Sequence, residues 1–238
     1  VIVGPAFFSS PAEVGGDPYY GDTILIMNAQ EPDGSSTILD TSPYANSLPG
    51  ASGMTISGQL VRFDGVDDYR VAAIGSEWDF GTDDFTIEVI ADLASLPALW
   101  TLLTNRSSSF SMPDTGFILI GNSSGALQAV AWGPPVNFAA VVIVNIVAPA
   151  STVTTGLHHV VFQRAGSDWT LGFDGTSVGT ATSAAAMGYD PTFGLSVGND
   201  FSAGGRFFHG GMRVRVTRGV ARYTFPFTPD FSAWPDPT

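Results

Sequence analysis

Residues 213–231 read RVRVTRGVARYTFPFTPDF. Strand periodicity of two puts Arg213 and Arg215 on one face and Met212, Val214 and Val216 on the other, so the stretch begins as an amphipathic closing strand with one side toward a core. Arg218 and Arg222 follow in the turn and the last segment. The closing FPFTPDF is expected to lay the C-terminus along the sandwich. Four arginines within ten positions are conspicuous in a chain of net charge −13 that contains no lysine. Bidentate pairing with the protein's own aspartates, or with a neighbour's acidic face, suits guanidinium groups best.

Upstream of this strand, β-branched and aromatic runs recur, each followed by turn residues. They are TILIMNA (23–29), LVRFDG (60–65), YRVAAI (69–74), FTIEVIADL (85–93) and WTLLTN (100–105), then GFILIG, ALQAVAW, VVIVNIV, LHHVVFQR, DWTLGFDG, TFGLSVG and GMRVRVTR. Their spacing of roughly 8–12 residues is that of a sandwich, and no stretch keeps a helical period over three turns. In FTIEV, Ile87 and Val89 alternate with Thr86, Glu88 and Ile90, which reads as a strand covered on both sides. Asp-Gly recurs in VRFDGVDDYRV and LGFDGTSVGT and supplies the positive φ of tight hairpin turns. The expected fold is therefore all-β, a sandwich of two packed sheets spanning residues 22–238, preceded by an extended, Gly/Pro/Ser-rich arm over residues 1–21.

Composition narrows the function classes. With 44% hydrophobic residues in 238 the chain can bury a real core, and 28 glycines and 16 prolines suit strands joined by turns. The absence of cysteine removes disulfides and thiolate metal sites. The absence of lysine removes Schiff-base chemistry. Twenty-two acidic groups against nine basic ones set the molecular field against nucleic acid and anionic membranes. The uncharged stretch 115–163 is broken by Pro134, Pro135 and Pro149, so strands rather than a spanning helix are expected there. The opening VIVGPAFFSSPAEVGG lacks a basic n-region and is not expected to be a secretory leader.

DTSPYAN (40–46), VRFDGVDDYRV (61–71), WDFGTDDFTIEV (78–89), LHHVVFQRAGSDWTLGFDGTSVGT (157–180) and the closing arginine stretch, taken in this order, resemble the laminin-G-like branch of the concanavalin A-like lectin and glucanase superfamily. RVTRGVARYT followed by FTP is most similar to laminin-G-like modules of tailed-bacteriophage structural proteins. The resemblance implies a jelly-roll sandwich of two antiparallel sheets, used mostly for binding and assembly. Relatives commonly carry acidic residues where this chain has Met212 and Arg213, and those acids, with the loop matching Asp40 to Asn46, supply a frequent calcium site. Replacing a carboxylate by a guanidinium disfavours Ca²⁺, which wants six to eight oxygen ligands, and no cofactor is expected. Leu157 stands where relatives often have tryptophan.

Catalytic readings find little to build on. The superfamily's glycosidases need two carboxylates on one face, ~5–5.5 Å apart for retention, but the chain has only Glu13, Glu31, Glu77 and Glu88 as glutamates, and Glu88 has apolar sequence neighbours. His158 and His159 are adjacent in a strand, so they point to opposite faces and cannot chelate one ion together; one is expected packed and the other solvated. No Ser-His-Asp arrangement is legible. GVDDY and GTDDF read as aspartate turns rather than ion ligands.

Binding readings rest on apolar groups. Val141 to Val144 put β-branched side chains on both faces: the run reads as a buried central strand, or else Val142 and Val144 dock on a partner. Phe7 and Phe8 in the leader are anchors on a neighbouring subunit or on the chain's own domain. Phe110, Trp132 and Phe138 lie in or beside expected loops and are the candidate glycan-contacting aromatics. The sequence thus supports a non-enzymatic phage virion protein, in capsid decoration or the tail, contacting other virion proteins and possible copies of itself. The alternative is a glycan-binding adhesin recognising host surface glycans. Neither reading involves nucleic acid or membrane.

Overall fold

The computed structural model describes residues 16–50, 53–106, 114–200, 206–232 and 234. Fourteen strands are present among the described residues: β1 (Thr23–Met27), β2 (Thr55–Ser57), β3 (Leu60–Asp64), β4 (Arg70–Val71), β5 (Phe85–Leu93), β6 (Leu99–Thr104) and β7 (Gly116–Asn122), followed by β8 (Leu127–Val136), β9 (Ala139–Val147), β10 (Gly156–Ala165), β11 (Asp168–Phe173), β12 (Thr176–Thr182), β13 (Ser196–Val197) and β14 (His209–Arg218). Helical structure among the described residues is confined to two 3₁₀ turns, Tyr20–Asp22 and Ser76–Trp78, and none is long and apolar enough to cross a membrane. YRVAAI and TFGLSVG, read as full strands from sequence, contribute only two ladder residues each.

The strands form two antiparallel sheets, as expected. One has the order β12-β11-β10-β5-β14-β3-β2, with β1 also on β14; the other has the order β4-β13-β6-β7-β8-β9. The closing strand β14 runs its whole length against β5, while its other edge is shared, by β3 along His209–Met212 and by β1 along Val214–Thr217. Met212, Val214 and Val216 face the other sheet and are fully buried with Phe85, Ile87, Val89, Val160 and Phe162. From the six-stranded sheet Phe117, Leu119, Ala129, Ala131 and Val144 complete this core. Its centre is aromatic, with Phe85 edge-on to Phe162 and Trp169 at 5.5 and 5.4 Å, a geometry that adds ~0.5–1.5 kcal/mol per pair beyond burial.

The outer face of the eight-stranded sheet is covered by the chain's own ends. The tail predicted to lie along the fold does so: Phe227 N–H donates to the Gly175 carbonyl at 2.9 Å. Trp234 packs with Ile26, Leu60 and Ile90, and its ring lies 4.8 Å from the Arg215 guanidinium. The described end of the leader also folds back, since Tyr20 Oη donates to the Thr41 carbonyl and Asp17 pairs with Arg215 and Arg222. Of the closing-strand arginines, Arg215 and Arg218 therefore pair with the protein's own acids, whereas Arg213 donates to the Phe231 carbonyl. Phe7 and Phe8 lie outside the described residues.

One expectation about β9 is overturned. It is an edge strand, not a central one. The β8–β9 register shifts between Ala131 and Trp132: Ala131 pairs with Val144, but Trp132 pairs with Val142. The extra residue, Ile143, makes a bulge that reverses the face of everything before it. Val144 therefore enters the core at 2% exposure, while Val142, 54% exposed, joins the outer face beside Trp132. The two valines assigned to one contact surface from their spacing stand on opposite faces, and Val144 has no surface to offer a partner.

Candidate binding groove on the six-stranded sheet

Among the described residues the outer face of the six-stranded sheet carries no second sheet, and its side chains follow from strand parity. Ile118 and Ile120 of β7 alternate with core-facing Phe117 and Leu119; across the ladder, Ile118 pairs with Val130 and Ile120 with Gln128. Ile118, Ile120, Val130 and Trp132 thus form an apolar cluster separate from the main core. Above it opens a groove of about 290 Å³ lined by Leu99, Arg106, Ile118, Ile120, Gln128, Val130, Trp132 and Arg206.

The polar rim is held from below. Asp200, 1% exposed, accepts from Arg106 Nη2 and Arg206 Nη1, both at 3.0 Å. Arg106 also faces Asp114 at 3.6 Å and lies over the Trp132 ring at 5.5 Å. Backbone contacts fix both arginines to β6: Arg106 N–H donates to Thr104 Oγ1 at 2.9 Å, and the Arg206 carbonyl accepts from Thr101 N–H at 3.0 Å. Gln128 Nε2 donates to Asn145 Oδ1 at 2.8 Å, and among the described residues its Oε1 accepts no hydrogen bond. Such a site, an apolar floor with a few oriented donors, suits a small polar ligand with an apolar side.

The sequence candidates fare unevenly. Trp132 lines the groove, but as a β8 residue, 8% exposed, with its face under a guanidinium rather than open as a platform in a loop. Phe138 sits at the β8–β9 tip, 94% exposed and at φ 61°, and does not line the groove. Phe110 lies outside the described residues. Arg106, Arg206, Asp200 and Gln128 were not singled out from sequence. The one available signal was the scarcity of cations, which makes each arginine informative, but nothing in the chain pairs positions 106 and 206.

Other constellations are accounted for by structure. Glu88, read as having apolar neighbours, gains its partners from adjacent strands and the tail: Arg215 Nε and Nη2 donate at 2.6 and 2.9 Å, Tyr223 Oη donates to Oε1, and His159 Nε2 stands at 3.4 Å. Burial pushes this carboxyl up, but His159 and Arg215 outweigh it and hold it at about 2. Burial next to Glu88 pushes the Tyr223 phenol well above its ordinary range. His159 is the packed histidine, as expected, but His158 is not simply solvated. Its Nδ1 contacts Asp174 Oδ2 at 2.8 Å and its Nε2 contacts Thr154 Oγ1 at 3.1 Å. This Thr-His-Asp relay, invisible in sequence, lines none of the grooves described here.

The loop Asp40 to Asn46, matched by resemblance to a calcium site, is self-satisfied. Asp40 accepts from the backbone of Ile26, Ser42 and Asn46 and from the side chains of Ser42 and Asn46. Those donors occupy the lone pairs an ion would need. A second groove of about 510 Å³ beside this loop, with Arg70 in its wall, has its charged groups similarly engaged: Arg70 donates to the carbonyls of Leu48 and Ser36. In GVDDY, Asp64, Asp67 and Asp68 bring carboxylate oxygens within 4.8 Å of one another. Asp64 Oδ1 takes the backbone N–H groups of Val66 and Asp67, and Asp68 Oδ2 that of Asp64, which is the turn-forming role expected.

No family model and no curated protein sequence matches the chain. Among solved structures it is similar to the receptor binding domain of botulinum neurotoxin D, at TM-score 0.58 and 11% identity, covering 89% of this chain and 51% of that one. The binding domain of botulinum neurotoxin DC, in complex with SialylT, matches at TM-score 0.54 and 10% identity over 84% and 47%. A botulinum neurotoxin type C structure, described as showing cell entry dependent on interaction with two ganglioside molecules, matches at 0.56 and 12% over 89% and 49%. The chain spans about half of each. At these identities the likeness establishes a lectin-like β-sandwich fold.

Proposed function

We propose that this chain is a non-catalytic, carbohydrate-binding β-sandwich module that takes its ligand in the groove on the outer face of the six-stranded sheet. The observation that carries the reading is the Arg106–Arg206 pair, anchored by buried Asp200, over the floor of Ile118, Ile120 and Val130. A sugar ring offers an apolar C–H side to such a floor and oxygens to such donors. Glycoside hydrolysis is disfavoured, because none of the described residues lining the groove is a carboxylate and the reaction needs two. The reading requires no metal or cofactor. The structural neighbours support it as binding domains, one of them in complex with SialylT.

The experiment is a glycan array probed with the intact chain, followed by calorimetry on any hit. Binding that Val130→Asp abolishes, with the unfolding midpoint retained, is the expected result. An array without hits, in the presence and absence of Ca²⁺, would sink the reading.

A second reading, assembly within a phage virion as a capsid-decoration or tail protein, is favoured by one feature. Edge strand β9 and its tip expose Val136, Phe138, Val142 and Val147, and an apolar sheet edge is a ready contact for another subunit. Localisation to the virion, virion partners and self-association belong to this reading. Sedimentation of the chain with candidate partner subunits tests it; the two functions are compatible in one protein.

A further inference from the structure

We infer that the groove selects a carboxylated, N-acylated sugar, the sialic-acid class of acidic monosaccharide, at the end of a glycan. The inference rests on the carbohydrate-binding reading and sharpens it. Of the nine arginines in the chain, Arg213, Arg215 and Arg222 are sequestered under the tail or beside the leader. Arg164 and Arg70 donate to backbone carbonyls, and Arg62 and Arg218 pair singly with Asp92 and Asp83. Only Arg106 and Arg206 converge on one groove.

Arg206 is the residue placed to read a carboxylate. Its Nη1 is spent on Asp200, and among the described residues its Nε and Nη2 have no acceptor. A planar fork with parallel N–H groups matches a carboxylate bidentately, a geometry that a lone hydroxyl cannot use in full. Asp200 holds the fork before any ligand arrives, so little ordering is left to the binding step. Two guanidiniums share this one buried carboxylate, and the second acid, Asp114, stands off at 3.6 Å from Arg106.

The remaining lining accounts for the N-acyl group. Ile118, Ile120 and Val130 provide a floor on which a methyl gains and a hydroxyl loses. Gln128 Oε1, its amide nitrogen already committed to Asn145, is an acceptor for an amide N–H. About 290 Å³ accommodates roughly one sugar unit rather than an extended chain. The net charge of −13 opposes an anionic ligand at long range, but at physiological salt that field decays over ~8 Å, whereas the contact with Arg206 is direct.

The test is calorimetric titration of the intact chain with sialyllactose, and in parallel with lactose, N-acetyllactosamine and a glucuronic-acid-terminated disaccharide, which lack both groups, the carboxylate, or the N-acyl group. Sialyllactose should bind at least about tenfold more tightly than each of the others. Arg206→Gln should remove most of that advantage, and Arg206→Lys should restore only part of it, because a point charge replaces a fork. Gln128→Ala, on a half-buried side chain outside the main core, should weaken binding severalfold and provides a readout even if the arginine variants unfold. Equal binding of the neutral sugars, or sialyllactose binding indifferent to both Arg206→Gln and Gln128→Ala, would overturn the inference while leaving carbohydrate binding intact. Absence of binding to every sugar would remove both.

Discussion

Glu88 and Arg215 stand directly opposite one another in the β5–β14 register, both turned outward beneath the C-terminal tail, with guanidinium-to-carboxylate distances of 2.6 and 2.9 Å. Glu88 is 0% exposed, so removing either partner leaves a buried charge without its bidentate counter-charge, although Asp17 still faces Arg215 and Arg222 still faces Glu88. Glu88→Ala is expected to lower stability by about 3–5 kcal/mol, and the double variant Glu88→Leu/Arg215→Met to recover most of that loss, because an apolar pair carries no desolvation cost. Urea unfolding of the two variants checks this. A single variant within about 1 kcal/mol of the parent would show that the pair contributes nothing.

The same carboxylate sets the acid limb of stability. In the folded chain Glu88 titrates at about 2 against an ordinary 4.5, and Asp17 is also lowered, where burial is outweighed by Arg222, the Tyr19 backbone and Arg215. A carboxyl held below its unfolded value stabilises the fold fully above that value and loses the contribution as pH falls toward the folded one. Stability should therefore be level near neutrality and decline between pH 4.5 and about 2, with Glu88 alone accounting for about 3 kcal/mol. Asp68 acts in the opposite sense: burial, with Asp64 and Asp67 nearby, raises its carboxyl, so its contribution is present in acid and lost as pH rises. Glu88→Gln should flatten the acid decline measured by urea midpoints at pH 5, 4 and 3; an unchanged slope would assign that decline to other groups.

Two glycines separate the cost of a turn from the cost of an approach. Gly166, φ +60°, has open space where a Cβ would go, whereas Gly175, φ +75°, would drive a Cβ into the Phe227 carbonyl. Gly166→Ala should cost only the left-handed backbone penalty, about 1–2 kcal/mol. Gly175→Ala should cost more and should also loosen the tail, seen as faster hydrogen exchange at Phe227, whose N–H is bonded to the Gly175 carbonyl. Equal losses at the two positions would mean that the tail gives way without penalty.

Local rules reach part of this structure. The face assignment of Arg213 and Arg215 against Val214 and Val216 follows from period two, and the Asp174-Gly175 turn follows from a residue pair that tolerates positive φ. What escaped are contacts between distant segments. Arg106 and Arg206 meet because β13, Gly198 and Arg206 lie beside β6, and no spacing along the chain encodes that. Glu88 looked isolated because its partners sit on strands 71 and 127 residues away. Sheet order was equally illegible: a continuous valine run is compatible with a central or an edge position, and the bulge at Ile143 breaks the parity from which a face is assigned.

That bulge yields the sharpest comparison. The register shift requires Val142 and Val144 to respond oppositely to the same change, although two residues apart in one strand. Val142→Lys places an ammonium on an exposed edge and should leave the unfolding midpoint nearly unchanged, within the ~0.5 kcal/mol typical of surface positions. Val144→Lys forces a charge into the core between the sheets and should cost several kcal/mol or abolish folding. Under a regular ladder without the extra residue both positions would face the same way, and the two substitutions would be tolerated or rejected together. Thermal unfolding of the pair distinguishes these cases. Val142→Lys then serves a second purpose, because a folded variant with a charged edge should lose any self-association that runs through β9, measured by sedimentation velocity against the parent.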